Sequence, residues 1–355
     1  MLGAIAVAGL APTPVLLGFA TFYLATALVY RLPIPVQPMK AVAAVLLTSE
    51  VTGAGLATAG VTIGAVLLML GVTGWIDRVA RAVPQSVLAG LQLGLGLALA
   101  LVAVDLLATA PLVGAATLGL LAVLALVPRA PAALLALAGA VLLARLLDLP
   151  GVVIPVAPDA GFAWPALPAL AEFESTFTVL VLPQLSLTLT NAVLVTALLA
   201  GDYYGPKAAH VTPARLSITT GLANLLLAPC GALPMCHGAG GLAAHHRFGA
   251  RSGTAPLLLG IALATVALLP GGLGLELLAA LPAAGLGALL LVAAGDLALS
   301  RRLFDGKPSC LPVIATTAGV TVWVDPFWGL LAGCLAELIR VAVVRRLMRD
   351  VPGGR

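Results

Sequence analysis

The stretch LPIPVQPMKA, Leu32 to Ala41, decides how the chain folds. Proline fixes φ, lacks an N–H and pushes the residue before it into an extended conformation. The run through Pro33, Pro35 and Gln37 therefore cannot continue a helix, whereas Pro38 can start one. The device recurs in APCGALPMCHG, Ala228 to Gly238, where Pro234 and Met235 follow a second extended lead. Each Pro-Met pair is expected to open a short helix, over 38–50 and 235–246.

The surroundings of both breaks are apolar. Hydrophobic residues fill 61% of the 355 positions and charged residues only 9%, with a mean hydropathy of +1.14, so lipid is the expected solvent. A spanning helix needs ~20 mostly apolar residues, and apolar runs follow one another from Pro14 to Val344. Continuous runs such as Ser86 to Ala108 argue for helices, because the strands of a closed barrel would alternate in hydrophobicity over ~10 residues. No polar stretch is long enough for a separate soluble domain. Cys230, Cys236, Cys310 and Cys334 have neither zinc nor disulfide spacing and read as small buried hydrophobes. The net charge of +4 does not imply nucleic acid, since in a membrane protein the placement of basic residues matters more than their sum.

Spans are expected at 14–30, 38–50, 55–75, 86–107, 111–127 and 131–148, then at 176–200, 213–229, 235–246, 255–270, 274–297, 309–323 and 327–344. Lys and Arg accumulate on the cytoplasmic side. If 14–30 runs inward, that side receives Arg31, Arg78, Arg81, Arg129, Lys207, Arg215, Arg247, Arg251, Arg301, Arg302, Lys307 and the C-terminal arginines. The acidic joint bearing Asp159, Glu172 and Glu174 then lies outside. In this orientation the first short helix runs outward and the second inward. The expected organisation is a first repeat over 1–150, an extracytoplasmic joint over 151–175, an inverted second repeat over 176–345 and a cytoplasmic tail over 346–355. Interrupted segments at corresponding places in inverted halves point to a transporter's binding site.

A helix that begins inside a membrane presents N–H groups without intrahelical partners and roughly half a positive charge. Two such ends facing each other attract an anion. Burying a dianion costs several kcal/mol per unit charge even after relaxation, so a formal cation is expected beside them, and Lys40 supplies it from the first turn. His237 takes the equivalent turn of the second short helix, as a donor or as a structural histidine bonded to a carbonyl in the broken region. Gln37 serves either the ligand or the unpaired backbone. Gln184, Thr188 and Asn191 form a polar stripe at i, i+4 and i+7, lining the site or packing against another helix. The expected substrate-binding set is Gln37, Pro38, Met39, Lys40, Gln184, Thr188, Asn191, Pro234, Met235, Cys236, His237 and Gly238. Gln92, inside GLQLGLG, reads first as part of a close helix contact, and Asp105 and Asp296 as helix ends at the interface. His245, His246, Arg247 and Arg251 fit cations at a helix C-terminus better than a metal or phosphate cluster. The HGAGG glycines lack the Gly-Lys-Ser/Thr ending of a phosphate loop.

PVQPMKA, Pro35 to Ala41, and LPMCHGAGGLAAHHRFGARSG, Leu233 to Gly253, closely resemble the two signature segments of the molybdate transporter family, within the sulfate-permease superfamily. The similarity extends through LPQLSLTLTNAV, Leu182 to Val193. The resemblance implies an all-α, polytopic fold of seven plus seven inverted helices. Core and gate domains would each be drawn from both repeats, with the third and tenth helices discontinuous. It further implies molybdate as substrate, with Gln37, Lys40 and His237 in the matching motifs. The family's first helix carries a Gly-Asp-Leu-Gly type segment, and Met1 to Leu10 resembles only the tail of that helix, so a truncated first helix is expected.

The resulting expectation is a secondary transporter working by alternating access in a bacterial-type inner membrane, with its C-terminus cytoplasmic. Its partners would be molybdate and lipid, with a homodimer left open, and it would need neither cofactor nor metal. A sulfate or general oxyanion permease, and an anion channel on the same scaffold, are the competing readings. A membrane-embedded enzyme is disfavoured, because no segment combines a nucleophile with a base.

Overall fold

A computed structural model describes residues 10–48, 51–127, 131–149, 173–174, 176–270, 273–299, 301–304 and 307–349. The start of the expected first helix, most of the acidic joint and the tail from residue 350 lie outside the described residues. Besides a short helix, Trp75–Ala82, the first half holds α1 (Pro12–Tyr30), α2 (Lys40–Thr48), α3 (Gly53–Val72), α4 (Gln85–Ala108), α5 (Pro111–Leu124) and α6 (Ala132–Leu146). The second half holds α7 (Phe177–Ala208), α8 (Pro213–Leu227), α9 (Ala239–Arg247), α10 (Thr254–Leu268), α11 (Ala283–Ala298), α12 (Leu311–Trp323) and α13 (Pro326–Arg349). Helices α1, α3, α4, α7 and α13 are long and apolar enough to cross a membrane, and α5, α6, α10, α11 and α12 are shorter apolar helices.

Proline sets several of these boundaries. It stands at the start of α1, α5, α8 and α13, where its missing N–H costs nothing. Pro282 divides the apolar run expected at 274–297 into a short helix, Leu273–Ala279, and α11. Inside α7, Pro183 cannot donate to a carbonyl one turn back, and the preceding turn widens to π geometry over Phe177–Val181. A second π segment covers Thr188–Val195, where Thr196 Oγ1 donates to the Asn191 carbonyl at 2.9 Å.

The helices pack in a pattern that the two halves share. α1 lies along α10 and α3 along α8, α4 along α11, and α5 against α11 as α12 lies against α4. Exchanging the halves maps this set of pairs onto itself, which is the signature of an inverted repeat. Small residues bring the backbones together where apolar helices gain little from leaving lipid. A Cβ on Gly64 of α3 would stand 2.8 Å from the Gly221 carbonyl oxygen of α8, and a Cβ on Gly221 would stand 2.8 Å from that of Gly64.

Two groups of helices result. One comprises α1, α2, α3, α7, α8, α9 and α10, and the other α4, α5, α6, α11, α12 and α13. They meet mainly where α9 packs against α11 and α4, and where the middle of α7 packs against α4 and α13. At one end of the bundle, the Tyr30 carbonyl bonds His210 Nε2 (2.8 Å), the Arg31 carbonyl accepts the Gly253 N–H (2.9 Å), and Asp77 accepts the Ala214 N–H (2.9 Å). This end, with Arg31, Arg215, Arg247 and Arg251, is the basic face.

Both short helices begin later than their Pro-Met pairs. Gln37–Pro38 and Met235–Cys236 form a two-stranded antiparallel ladder, with Gln37 opposite Cys236 and Pro38 opposite Met235. Met39 N–H donates to the Pro234 carbonyl at 3.0 Å, so the ladder delays α2 to Lys40 and α9 to Ala239. Pro38 therefore sits in a strand rather than at a helix start. His237 precedes α9 instead of occupying its first turn, and the residue matching Lys40 in the Pro-Met alignment is Cys236.

Candidate functional site

The two breaks, far apart in sequence, cross at one point inside the bundle. Helix α7 holds both helix starts from one side. Gln184 Oε1 accepts the Ala41 N–H of α2 at 2.9 Å, while Gln184 Nε2 donates to Thr188 Oγ1 at 2.8 Å. Asn191 Oδ1 accepts the Ala239 N–H of α9 at 3.3 Å. At 1.5 Å of rise per residue, Gln184 and Asn191 hold the two starts ~10 Å apart along α7. The stripe thus caps two broken helices.

Lys40 opens α2. Its side chain is exposed. It has no ion-pair partner among the described residues. Cys236 is its electrostatic neighbour and is buried on the facing strand. Gln37 is half-buried, and its amide lies over the start of α9, so close that a Cβ on Gly238 would collide with it. Its Nε2 is a marginal 3.5 Å from the His237 carbonyl, a bond that a better acceptor would replace at little cost.

The other expected site residues are enclosed. His237 is 0% exposed, with Nδ1 at 2.8 Å from the Pro35 carbonyl oxygen and Nε2 at 3.0 Å from Thr219 Oγ1. Its ring lies 5.1 Å from that of Phe22 and 5.7 Å from that of Tyr30. Of the two readings open for this histidine, the carbonyl-bonded one describes its contacts. Met39, Pro234, Met235 and Gly238 are buried as well, and Pro38 is half-buried.

Several residues that the sequence reading passed over hold the breaks in shape. Asn224 of α8 donates to the Met235 carbonyl at 2.7 Å and accepts the Met235 N–H at 2.9 Å, supplying in one side chain both bonds of a missing strand. Tyr23 donates to the Val36 carbonyl at 2.6 Å, and the Tyr30 hydroxyl pairs with Thr219 at 2.8 Å. Their signal was an Asn and two Tyr inside apolar spans, where polar groups need a stated partner. His245 Nδ1 is 2.8 Å from the Pro33 carbonyl oxygen, and His246 stacks on Tyr203 at 4.1 Å between ring centroids. Among the described residues no group of three or more His, Cys, Asp or Glu is placed to hold a metal.

Toward the basic face, α9 contacts the second group of helices. Leu99 of α4 presses on Gly240 in the first turn of α9, and Arg247 at the far end of α9 reaches Asp296 of α11 at 3.4 Å. By contrast, the extensive packing of α2 is with α7.

Comparison with known proteins places these features. The family model described as "Molybdate transporter of MFS superfamily" matches residues 1–99 and 176–297, which contain both breaks and the α7 stripe. Molybdate transporter 1 of Arabidopsis thaliana is 30% identical, over 88% of this chain and 78% of the relative. Molybdate transporter 2 of the same plant is 28% identical, over 84% and 75% respectively. Among solved structures, the transmembrane domain of the cyanobacterial bicarbonate transporter BicA superposes with a TM-score of 0.57 at 15% identity, covering 94% of this chain and 96% of that one. SLC26A9 superposes with a TM-score of 0.60 at 14% identity, covering 96% and 64%. The fold is thus that of these seven-plus-seven inverted-repeat proteins, and the chain belongs to the molybdate transporter family.

Proposed function

We propose that the chain is a secondary transporter that carries molybdate across a bacterial-type inner membrane by alternating access, with its basic face and C-terminus in the cytoplasm. The observation that carries this reading is the meeting of two half-helix starts with one accessible, unpaired ammonium, Lys40. An oxyanion approaching the crossed strands meets the exposed Lys40 charge first. The partial positive charge at the starts of α2 and α9 then holds it without any reorganisation of the backbone, because Gln184, Asn191 and Asn224 have already fixed both breaks. The Gln37 amide can turn from the His237 carbonyl to the ligand.

The group containing both half-helices acts as the moving core, and the α4–α6 and α11–α13 group acts as the gate. We read the described state as the outward-open form, a reading supported by the contacts of α9 with α4 and α11 on the basic side.

Calorimetry of purified protein with molybdate, tungstate, sulfate and uracil tests the substrate class. Saturable binding of molybdate and tungstate, weak binding of sulfate and none of uracil is expected. Equal binding of sulfate would make the protein a general oxyanion permease, and silence toward every oxyanion would contradict the proposal.

A further inference from the structure

Gln92 stands in the middle of α4, 0% exposed, and neither its Nε2 nor its Oε1 has a hydrogen-bond partner among the described residues. Thr26, Ser217 and Thr220 also hold unpaired buried hydroxyls. A hydroxyl on a helix can turn to the carbonyl one turn back, as Thr58, Thr117 and Thr317 do. A glutamine amide has no such local refuge. Leaving both of its ends unpaired in a dry interior is costly, and a native site that does so calls for a reason.

The position of the amide supplies one. Gln92, Leu95 and Leu99 lie at i, i+3 and i+7, on one face of α4. Leu99 touches Gly240 in the first turn of α9, and Gly96, one turn from Gln92, lies against the backbone of Ala298 in α11. Leu88 and Leu95, on the turns either side of Gln92, share a buried cluster with Leu242 and Ala243 of α9 and Leu297 of α11. The amide therefore faces the groove in which α9 runs, ~10 Å closer to the basic face than the level at which α9 begins.

From this placement we infer that Gln92 is a substrate contact of the inward-open state, a specificity residue carried by the gate. The inference rests on transport by alternating access. When the core moves toward the basic face, the start of α9 leaves the level of Leu99 and, with the start of α2 behind it, descends along α4 toward Gln92. There the Nε2 donates to the oxyanion, and Oε1 accepts from water admitted with it. The unpaired amide of the outward-open form is the cost of having that contact ready.

The test compares wild type with Gln92→Leu, similar in volume, and Gln92→Glu, in detergent and in proteoliposomes. Gln92→Leu should bind molybdate from the outward-open form within about twofold of wild type, take it up at least about tenfold more slowly, and unfold a few degrees higher, because an unpaired buried amide is gone. Gln92→Glu should suppress uptake further, by repulsion of the oxyanion. Wild-type uptake rates in Gln92→Leu, or a lowered unfolding temperature, would overturn the inference, the latter by showing that the amide has a structural partner such as bound water. Binding without uptake by the wild-type protein would instead sink the transport reading itself.

Discussion

The two Pro-Met breaks share a sequence device and differ in what surrounds it. The first, at Pro38 and Met39, leads into α2 with an exposed lysine at its start and a half-buried Gln37 beside it. The second, at Pro234 and Met235, is buried throughout: Asn224 grips both backbone groups of Met235, and His237 is enclosed by Phe22, Tyr30, Pro35 and Thr219. A pair of broken helices therefore need not divide the work equally. In the proposed transporter the first break would meet the ligand, while the second, locked by neutral side chains, would hold the geometry against which the ligand is placed.

Removing the charge at the first break should have the largest effect. Lys40→Ala is expected to weaken molybdate binding by about 3 kcal/mol, more than 100-fold, while the unfolding transition in detergent stays close to that of wild type. Unchanged affinity in calorimetry would erase the distinction between the breaks.

The matching change at the second break should act on stability first. Asn224→Ala strands the N–H and carbonyl of Met235 and is expected to cost about 2–4 kcal/mol, seen as a marked fall in the thermal unfolding midpoint. A variant as stable as wild type would show that the second break holds itself.

Gln184→Leu lies between these cases, since it unpairs only the Ala41 N–H on the first break. About 1 kcal/mol of binding, roughly fivefold, should be lost. No change in calorimetry would mean that α2 needs no cap from α7.

Smallest of all is Asp296→Asn, because the Arg247–Asp296 pair is substantially exposed. It should move the unfolding free energy by less than about 1 kcal/mol. A larger shift in chemical denaturation would show that this contact between α9 and α11 is more than a screened surface pair.

Much of this comparison is legible in the sequence, for a local reason. Proline acts on its own residue and the one before it, so both breaks can be located without tertiary information. Lys40 is conspicuous because a lysine in an apolar span is rare. The delay of α2 to Lys40 and α9 to Ala239 is invisible, since it follows from a ladder between segments that meet only in the folded chain. The same holds for His237, whose partners Pro35 and Thr219 come from other elements, and for Gln184 and Asn191, which periodicity placed on one face of a helix without showing that each caps a different half-helix. Asn224 was within reach: an asparagine in LANLLL has to find partners in an apolar span, and the backbone of a broken helix is the nearest supply.

The most direct test of the account is a structure of the protein determined with tungstate, a heavy tetrahedral dianion that stands in for molybdate. The density is expected between the starts of α2 and α9, against the Lys40 ammonium and on the Gln37 side of the crossed strands. Tungstate bound at the His245–Arg251 end of α9, or two breaks lying far apart with unbroken helices through Met39 and Met235, would contradict it.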